Sequence, residues 1–387
     1  MALPPAMYLC SIAEQDQLYE EARQFAVQRV NRAIEARAGT PYFSQQEWRL
    51  CGELGLLGAC VPEAYGGRGH DALTVARIVE GFARGCSDTG LVFAACAHLF
   101  AVAMPVAEHG SDELKARVLP RLVTGEWVGA NAITETEAGS DVFALQTKAI
   151  RDGDTYMLTG AKSFVTNGPV GDCFLVYAST EPAHGYLGIT TFVVEGDAPG
   201  LRRGKHFDKI GLTGAPVCEI SLEECRVPAS NRLGEDGEGA AIFQSSMSWE
   251  RACLFAQYLG VMDRQLEEVV AHAKVRRQFG KALGRHQAVA HRAADMKLRL
   301  DAARLLLHRA CWMKSQGIEC AVEISLAKLA ISEAAVQSGL DAIHIFGGLG
   351  IKTESDVATA LQDAIPSTIF SGTSEIQRDL IARGLGL

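Results

Sequence analysis

The sequence lacks several features that would assign it to a particular class of protein. Its 387 residues contain no uninterrupted apolar run of about 18 residues, so no transmembrane helix is expected. The N-terminus has neither the charged region nor the long apolar core of a secretory signal, which predicts a cytoplasmic protein. No internal repeat or low-complexity linker is present. What remains is a globular chain long enough for two or three domains.

Excess positive charge and paired cysteines are also absent. The chain has 37 Lys and Arg residues against 46 Asp and Glu residues, a net charge of −9. Because phosphate binding depends on a surplus of Lys and Arg, nucleic acid is not expected as the main ligand. The 11 cysteines form no C-x-x-C pair, so no metal site is expected. They are interpreted as reduced, buried thiols.

Hydrophobic periodicity divides the chain into three parts. Helical patterns precede residue 126, short strands separated by turn residues follow, and long helical patterns return from residue 235. We therefore predict an α+β protein with an N-terminal helical domain (1–125), a central antiparallel β domain (126–234) and a C-terminal helical domain (235–387). The helical patterns cover residues 15–36, 44–57, 73–110, 240–275, 288–315, 318–345 and 374–383. The strand patterns cover residues 148–151, 155–158, 174–177, 190–194 and 218–222.

Residues 131–141, before the first predicted strand, include several small residues and several that carry hydroxyl groups. Gly139 would allow the backbone to approach a ligand closely, and Thr134 and Ser140 offer hydroxyl groups for hydrogen bonding. The same composition is typical of an ordinary turn. The segment alone therefore leaves a ligand site and a structural turn as alternatives.

Residues 160–168 end in an Asn-Gly pair, which indicates a turn. Phe164 is then either a core residue at a hairpin end or a ring that stacks on a flat cofactor. In the second case Thr166 would donate a hydrogen bond to that cofactor. This segment does not decide between the two interpretations.

The C-terminal part contains three further candidate segments. The basic residues 276–281 either complete a helix dipole or bind a pyrophosphate. The glycines of residues 347–350 fail the G-x-G-x-x-G pattern and lie in a helical context, which excludes a Rossmann NAD site. The sequence 371–374, Ser-Gly-Thr-Ser, opens a predicted helix, where free backbone N–H groups can bind an anion or a carbonyl oxygen.

Taken together and in this order, these segments resemble the acyl-CoA dehydrogenase family of flavoproteins. The resemblance extends from about Gln17 to Arg383 and implies bound FAD, a C-terminal four-helix bundle and a homotetramer built as a dimer of dimers. It rests on motifs with the family's spacing: Ile133-Thr-Glu-x-x-Ala-Gly-Ser-Asp141, Phe164-x-Thr-Asn-Gly168, Arg277-x-Phe-Gly280 with Gln287, Phe346-Gly-Gly-x-Gly350 and Gly372-Thr-Ser-Glu-Ile-Gln377.

The resemblance implies two groups of FAD-binding residues. At the flavin ring it places Ile133, Thr134, Gly139, Ser140, Phe164 and Thr166. At the phosphates and adenine, partly of a neighbouring subunit's FAD, it places Arg277, Phe279, Gln287, His344 and Gly348. Thr373 and Glu375 would complete the site at a helix start. His344 stands where the family more often has Gln, and Glu375 where some members have Gln, so both positions keep a polar group.

The family's reaction needs a base for the α-proton of an acyl thioester, while the β-hydride passes to flavin N5. Because the α-proton is a weak acid, fixed donors must polarise the thioester carbonyl, and a carboxylate of raised pKa is the natural base. Many members place this Glu directly before the Gly-Thr of the last motif. This chain has Ser371 there, which cannot act as the base. Its backbone N–H would still donate to the carbonyl.

Glu250 is the predicted replacement for the missing base. It follows Phe243 and Met247 at helical spacing and precedes Leu254 by four residues, which places it on an apolar helix face. Desolvation there would raise its pKa. The alternative is a structural carboxylate paired with Arg251 or another cation. The isovaleryl and long-chain members of the family carry their base at the matching position.

Substrate contacts and the identity of the substrate follow from the same resemblance. Ser140, Arg251 and Gly372 are expected to bind substrate. Residues 247–260 look most like members from polyketide and nonribosomal peptide pathways of secondary metabolism, which oxidise acyl or aminoacyl groups, prolyl for example, held on a carrier protein. The substrate is therefore a thioester of either CoA or a carrier protein. The basic residues 202–206 are a candidate docking patch, or else a solvated face.

Electrons would pass to an electron-transfer flavoprotein or to oxygen. Two other activities stay open on the same scaffold. One is a flavin oxidase or monooxygenase, and the other is a noncatalytic flavoprotein with a binding role. No membrane partner is expected.

Overall fold

A computed structural model describes residues 13–36, 43–352 and 355–387. The α-helices are α1 (Ala13–Phe25), α2 (Asn31–Ala36), α3 (Gln45–Leu54), α4 (Ala72–Gly85), α5 (Thr89–His98), α6 (Met104–His109), α7 (Asp112–Thr124), α8 (Gly239–Trp249), α9 (Ala256–Val275), α10 (Gln287–Ser315), α11 (Ala321–Phe346), α12 (Asp356–Ala364) and α13 (Ser374–Gly384). The strands are β1 (Gly129–Ala132), β2 (Lys148–Asp152), β3 (Thr155–Thr166), β4 (Cys173–Ser179), β5 (Ile189–Glu195), β6 (Leu201–His206), β7 (Val217–Pro228), β8 (Arg232–Leu233), β9 (Arg277–Gln278) and β10 (Lys281–Ala282). Three stretches are π-helical: Ala26–Val30, Leu99–Ala103 and Glu250–Leu254. This order of elements confirms the predicted α+β class.

The chain forms two compact units. One lies within Met1–Arg32, Asp71–Thr89 and Arg251–Leu387, and is called the helical unit below. The other lies within Ala33–His70 and Gly90–Glu250, contains β1 to β8, and is called the sheet unit. The three predicted domain boundaries stay a prediction.

Capping residues explain several helix ends. The Asp71 side chain accepts a hydrogen bond from the backbone of Thr74 and starts α4, and Ser111 starts α7 in the same way. Ser44 precedes α3 as predicted, but its side chain makes no capping bond. The helical pattern over residues 73–110 is not one helix. It is interrupted at Cys86, which is extended, before α5 begins.

One helical stretch of the described residues, Thr89–His109, is long and apolar enough to cross a membrane by length and composition. The search for an uninterrupted apolar run missed it because His98 and Glu108 break the run. Of its most apolar 18-residue window, 89% is buried inside the protein. A helix that is apolar all round and covered by protein is typical of a domain core.

The central sheet has eight strands and is mixed rather than purely antiparallel. Its main order is β6-β7-β3-β2-β4-β5-β8, with antiparallel pairing apart from a single parallel bridge between β2 and β4. β1, which the strand pattern missed, pairs in parallel with β4. β6, also missed, is an edge strand whose residues are mostly exposed. Their four and six residues lack the apolar alternation that marks a half-buried strand.

The core of the sheet unit lies on one face of this sheet. Alternate residues of β4, which are Phe174, Val176 and Ala178, pack there with Phe192 and Ile220. The ten cysteines of the described residues are buried and form no disulfide, as predicted, and Cys10 lies outside the described residues. In the helical unit, α9, α10 and α11 pack against one another, and α11 also contacts α12 and α13.

Candidate active site

A buried ion pair fixes the loop that carries the first predicted motif. Lys162 of β3 is fully buried, and its Nζ donates to the Glu135 carboxylate at 2.7 Å and to the Ile133 carbonyl at 3.1 Å. Thr134 is tied to the same strand, because its carbonyl accepts from the Ser163 N–H at 2.8 Å. Burial alone would raise the pKa of Glu135, but Lys162 and neighbouring donors lower it. The loop is therefore held rigidly against β3.

The predicted ligand-binding side chains of this loop differ in exposure. Ile133 is buried, Thr134 is half-buried, and Gly139 and Ser140 are exposed. A side-chain atom added at Gly139 would have no neighbour within 4 Å. The space in front of the loop is open, which fits the predicted close approach of a ligand. Thr166, half-buried, ends β3.

Phe164 interrupts β3 in a strained conformation. Its φ is +54°, which is unfavourable for a residue with a bulky side chain, and 68% of the residue is exposed. Its ring contacts Phe207 edge-on, with centroids 5.3 Å apart. The interpretation of Phe164 as a core residue is wrong. Strain and an exposed ring together are typical of a ligand contact, so the residues of this loop and strand fit a flat cofactor such as FAD.

Replacing Phe164 with alanine is expected to weaken FAD binding by about 2- to 12-fold, because an aromatic contact contributes about 0.5–1.5 kcal/mol. Folding stability should change little, since the ring is mostly exposed. Titration of the apoprotein with FAD measures the affinity. Ile150→Ala is the matched control, because Ile150 is 57% exposed on β2 and belongs to no predicted site. Equal effects of the two substitutions would contradict the assignment.

Glu250 lies at the end of α8 in the sheet unit. Phe243, Met247 and Glu250 share a helix face, and Met247 and Glu250 are 5% and 8% exposed. This burial agrees with the predicted position of Glu250 on an apolar face, and its role as the base stays a prediction. Glu250 also begins the π-helical stretch Glu250–Leu254, a local irregularity that is frequent at functional sites.

Polar contacts on the other side of α8 fix this helix in place. The Glu108 carboxylate accepts hydrogen bonds from Ser245 Oγ and from Trp249 Nε1, each at 2.6 Å. Ser246 Oγ donates to the Phe100 carbonyl at 3.3 Å. Glu250 is thus the next residue after an anchored turn of helix.

In the helical unit, Ser371 is held by two side chains. Arg251 Nε donates to the Ser371 carbonyl at 2.7 Å, and Gln377 Nε2 donates to the Gly372 carbonyl at 3.1 Å. Ser371 has a φ of +56° and Gly372 a φ of +87°. The left-handed backbone at Gly372 favours glycine, because other residues rarely adopt it. This arrangement fixes the backbone around the predicted carbonyl donor.

The basic segment after α9 is an exposed hairpin of β9 and β10. Phe279 at its tip is 94% exposed with a φ of +51°. Arg277 is exposed and donates to the Gly280 carbonyl at 2.9 Å. Gln287 begins α10 and is exposed. An aromatic ring presented in this way fits the predicted contact with a neighbouring subunit's FAD, which stays a prediction.

The remaining predicted FAD contacts lie at two helix ends of the helical unit. His344 is exposed near the end of α11, with its Nδ1 3.4 Å from Arg292 Nη1. Gly348 is exposed, with open space where a side chain would be. Thr373 caps α13 by accepting a hydrogen bond from the Ile376 N–H. Glu375 is exposed in the first turn, and hydrogen bonds from its own N–H and from Thr373 lower its pKa.

Sequence reasoning missed the residues that support the site. Nothing in the motifs signals that Lys162 pairs with Glu135. Lys162 lies outside all the predicted strand patterns, in the segment 160–168 that is interpreted as ending in a turn. In the candidate docking patch, Arg202 of β6 lies 3.6 Å from the exposed Glu223 of β7, and the choice between a docking patch and a solvated face stays open. Within the described residues no group of three or more His, Cys, Asp or Glu side chains could hold a metal ion.

Comparison with known proteins gives three family-model matches and close relatives. The chain matches the N-terminal domain of acyl-CoA dehydrogenase over residues 12–126, the middle domain over 130–225 and the C-terminal domain over 237–386. It is 52% identical to an L-prolyl-[peptidyl-carrier protein] dehydrogenase of Pseudomonas fluorescens, over 89% of this chain and 91% of that protein.

Two solved structures extend this similarity to the fold. The crystal structure of the prolyl acyl carrier protein oxidase AnaB superposes with a TM-score of 0.95 at 43% identity, covering 98% of this chain and 100% of that one. The structure of PigA with FAD and proline superposes with a TM-score of 0.96 at 42% identity, and it has the same coverage. Matches over nearly the whole length, in sequence and in fold, show that this chain belongs to the acyl-CoA dehydrogenase family.

Proposed function

We propose that the protein oxidises an aminoacyl group, with L-prolyl as the first candidate, carried as a thioester on the phosphopantetheine of a carrier protein. The family-level activity is FAD-dependent α,β-dehydrogenation of an acyl thioester. The observation that carries the proposal is the buried Glu250 in a chain whose residue 371 is serine. The choice of prolyl and of a carrier protein is supported by the names of the relatives.

Glu250 removes the α-proton of the thioester in this proposal. Glu250 as a residue is only 8% exposed, on an apolar helix face, where burial disfavours a charged carboxylate. The anchored α8 holds it in one place, which reduces the entropy lost on reaching the reactive geometry. The proposed role needs the ionised form of Glu250 at the start of the reaction.

The backbone N–H of Ser371 stabilises the enolate oxygen that develops as the proton leaves. This donor comes from the main chain, so the replacement of the family's Glu by Ser does not remove it. Arg251 acts as a positioning residue, because it holds the Ser371 carbonyl at 2.7 Å. Preorganised donors of this kind stabilise charge more than mobile water does. Bound FAD supplies the acceptor for the β-hydride.

Several further features belong to the same proposal. The exposed Phe279, Arg277 and Gln287 support a homotetramer in which neighbouring subunits share FAD contacts, and the mass in solution tests this assembly. We also propose a cytoplasmic enzyme of secondary metabolism. Its electron acceptor is an electron-transfer flavoprotein or oxygen. The relative described as an oxidase favours oxygen as the first acceptor to test.

Anaerobic mixing of the FAD-loaded enzyme with matched thioesters tests the proposal. The panel is L-prolyl, butyryl and isovaleryl groups, each attached to CoA and to a carrier protein. We expect the prolyl carrier protein to bleach the flavin absorbance fastest. Faster bleaching by every CoA thioester would overturn the carrier assignment, and no bleaching by any thioester would overturn the dehydrogenation. Admitting oxygen or an electron-transfer flavoprotein to the reduced enzyme then identifies the acceptor.

A further inference from the structure

The sheet unit has a second sheet face, opposite its hydrophobic core, that carries polar side chains. On β4 the core takes Phe174, Val176 and Ala178, so Tyr177 points to the other face. Thr191 of β5 lies directly across from Tyr177. Helix α8, which leads to Glu250, packs against β5. The face that carries Tyr177 therefore belongs to the surroundings of the proposed base.

The Tyr177 hydroxyl is buried and has no hydrogen-bond partner in the part of the chain that the structure describes. A buried polar group that stays unpaired loses its hydrogen bonds to water without replacement, so such a group needs an explanation. Tyr156, the other fully buried tyrosine of the sheet, donates from its hydroxyl to Asp236 at 2.8 Å. Tyr177 has no such partner within residues 13–36, 43–352 and 355–387, and a ligand or a water molecule would satisfy it.

Two observations place Tyr177 beside Glu250. Its ring contacts Phe243 edge-on, with centroids 5.9 Å apart, and Phe243 shares a helix face with Glu250 two turns later. Burial, and in addition the negative charge of Glu250, raise the pKa of Tyr177. Electrostatic influence of this kind requires proximity. The unpaired hydroxyl thus lies in the neighbourhood of the group that takes the α-proton.

An aminoacyl thioester brings a polar group to this neighbourhood that a plain acyl thioester lacks. Its amino nitrogen is bonded to the α-carbon, the atom that loses its proton to Glu250. We propose that the Tyr177 hydroxyl accepts a hydrogen bond from this N–H and so selects aminoacyl over plain acyl thioesters. The inference rests on the proposed function. A site built to bind an N–H discriminates strongly against an analogue that lacks it, because its own polar group is then left unpaired.

The test compares L-prolyl and cyclopentanecarbonyl groups on the same carrier protein, because the two rings have the same size and differ in the nitrogen. The readout is the ratio of the anaerobic flavin-reduction rates for the two thioesters. In the unmodified enzyme the prolyl thioester should reduce the flavin faster than the cyclopentanecarbonyl thioester. In Tyr177→Phe the ratio should fall about 10-fold or more, the loss expected for one hydrogen bond to a charged or strongly polar group. FAD content and thermal unfolding should stay unchanged.

Thr191→Val is the matched control, because its hydroxyl is also buried and unpaired on the same sheet face but sits on a short side chain. We expect it to leave the ratio unchanged. An unchanged ratio in Tyr177→Phe, or an equal fall in Thr191→Val, would overturn the role of Tyr177 while leaving the proposed function intact. Equal flavin-reduction rates for the prolyl and cyclopentanecarbonyl thioesters in the unmodified enzyme would also overturn the role of Tyr177. If prolyl thioesters do not reduce the flavin at all, both the role of Tyr177 and the proposed function are overturned.

Discussion

Glu250→Gln should keep FAD bound and slow the anaerobic reduction of the flavin by its substrate about 10²–10⁴-fold, the usual contribution of a general base. Glutamine preserves the shape of the side chain but cannot accept the α-proton. Because Glu250 is buried on an anchored helix, no exposed neighbour can take over its position. Single-turnover absorbance measurements report the chemical step directly. A rate within a few-fold of the unmodified enzyme would remove Glu250 from the mechanism.

A second substitution in the same background sharpens this result. Many relatives carry the base where this chain has Ser371, so Glu250→Gln combined with Ser371→Glu should recover part of the lost rate. Ser371 already adopts a left-handed backbone conformation, so a glutamate there adds no new backbone strain. Recovery would show that the chemistry needs a carboxylate and that two positions can supply it. If Ser371→Glu gives no recovery, the two positions are not interchangeable in this chain.

Replacing Glu80 with glutamine should destabilise the helical unit by about 3–5 kcal/mol, the usual cost of breaking a buried ion pair. Glu80 is 1% exposed, and its carboxylate lies 2.8 Å from Arg304 Nε and 2.9 Å from Arg77 Nη1. The substitution removes the one buried carboxylate that both guanidinium groups share and leaves Arg77 with Asp16 and Arg304 with Asp263 as their partners. Thermal unfolding with FAD bound measures the loss. Glu267→Gln is the control, because that carboxylate is 72% exposed and should contribute less than about 1 kcal/mol.

The same carboxylate predicts how stability depends on pH. Burial alone would raise the pKa of Glu80, but His308, Arg304 and Arg77 outweigh burial and hold the pKa at about 2, below the ordinary value of 4.5. A lowered pKa adds stability above about pH 4.5, and this stability is lost as the pH falls toward 2. Glu80→Gln should therefore flatten the acid side of the stability curve. An unchanged slope would contradict the assigned pKa.

Motif spacing was sufficient to predict the fold class and the family, and local periodicity was sufficient to place most helices. Glu250 could be found because the helical period puts it on a visibly apolar face. The same reasoning failed at β1 and β6, which are short strands without alternation. It also left Phe164 undecided, because only backbone geometry shows that the ring is turned outward.

Long-range pairs were outside the reach of sequence reasoning for a physical reason. Lys162 and Glu135 are separated by 27 positions, and Arg251 and Ser371 by 120. No local pattern encodes such a pair, since each residue alone reads as an ordinary charged or polar position. The structure brings them together through packing of whole elements. Residues that hold a site in place are for this reason harder to predict than residues that perform its chemistry.

The π-helical stretch that begins at Glu250 also limits how the protein could have evolved. Such a stretch accommodates one more residue than the regular helix, and each residue turns the helix by about 100°. Deleting a residue between 251 and 254 would rotate all of α9, which follows this stretch, about its axis. The extra residue of the π-helical stretch could therefore not be lost without repacking that helix. A carboxylate, by contrast, can be exchanged by a single substitution. Relatives can therefore differ in the location of the base while keeping the same helix register.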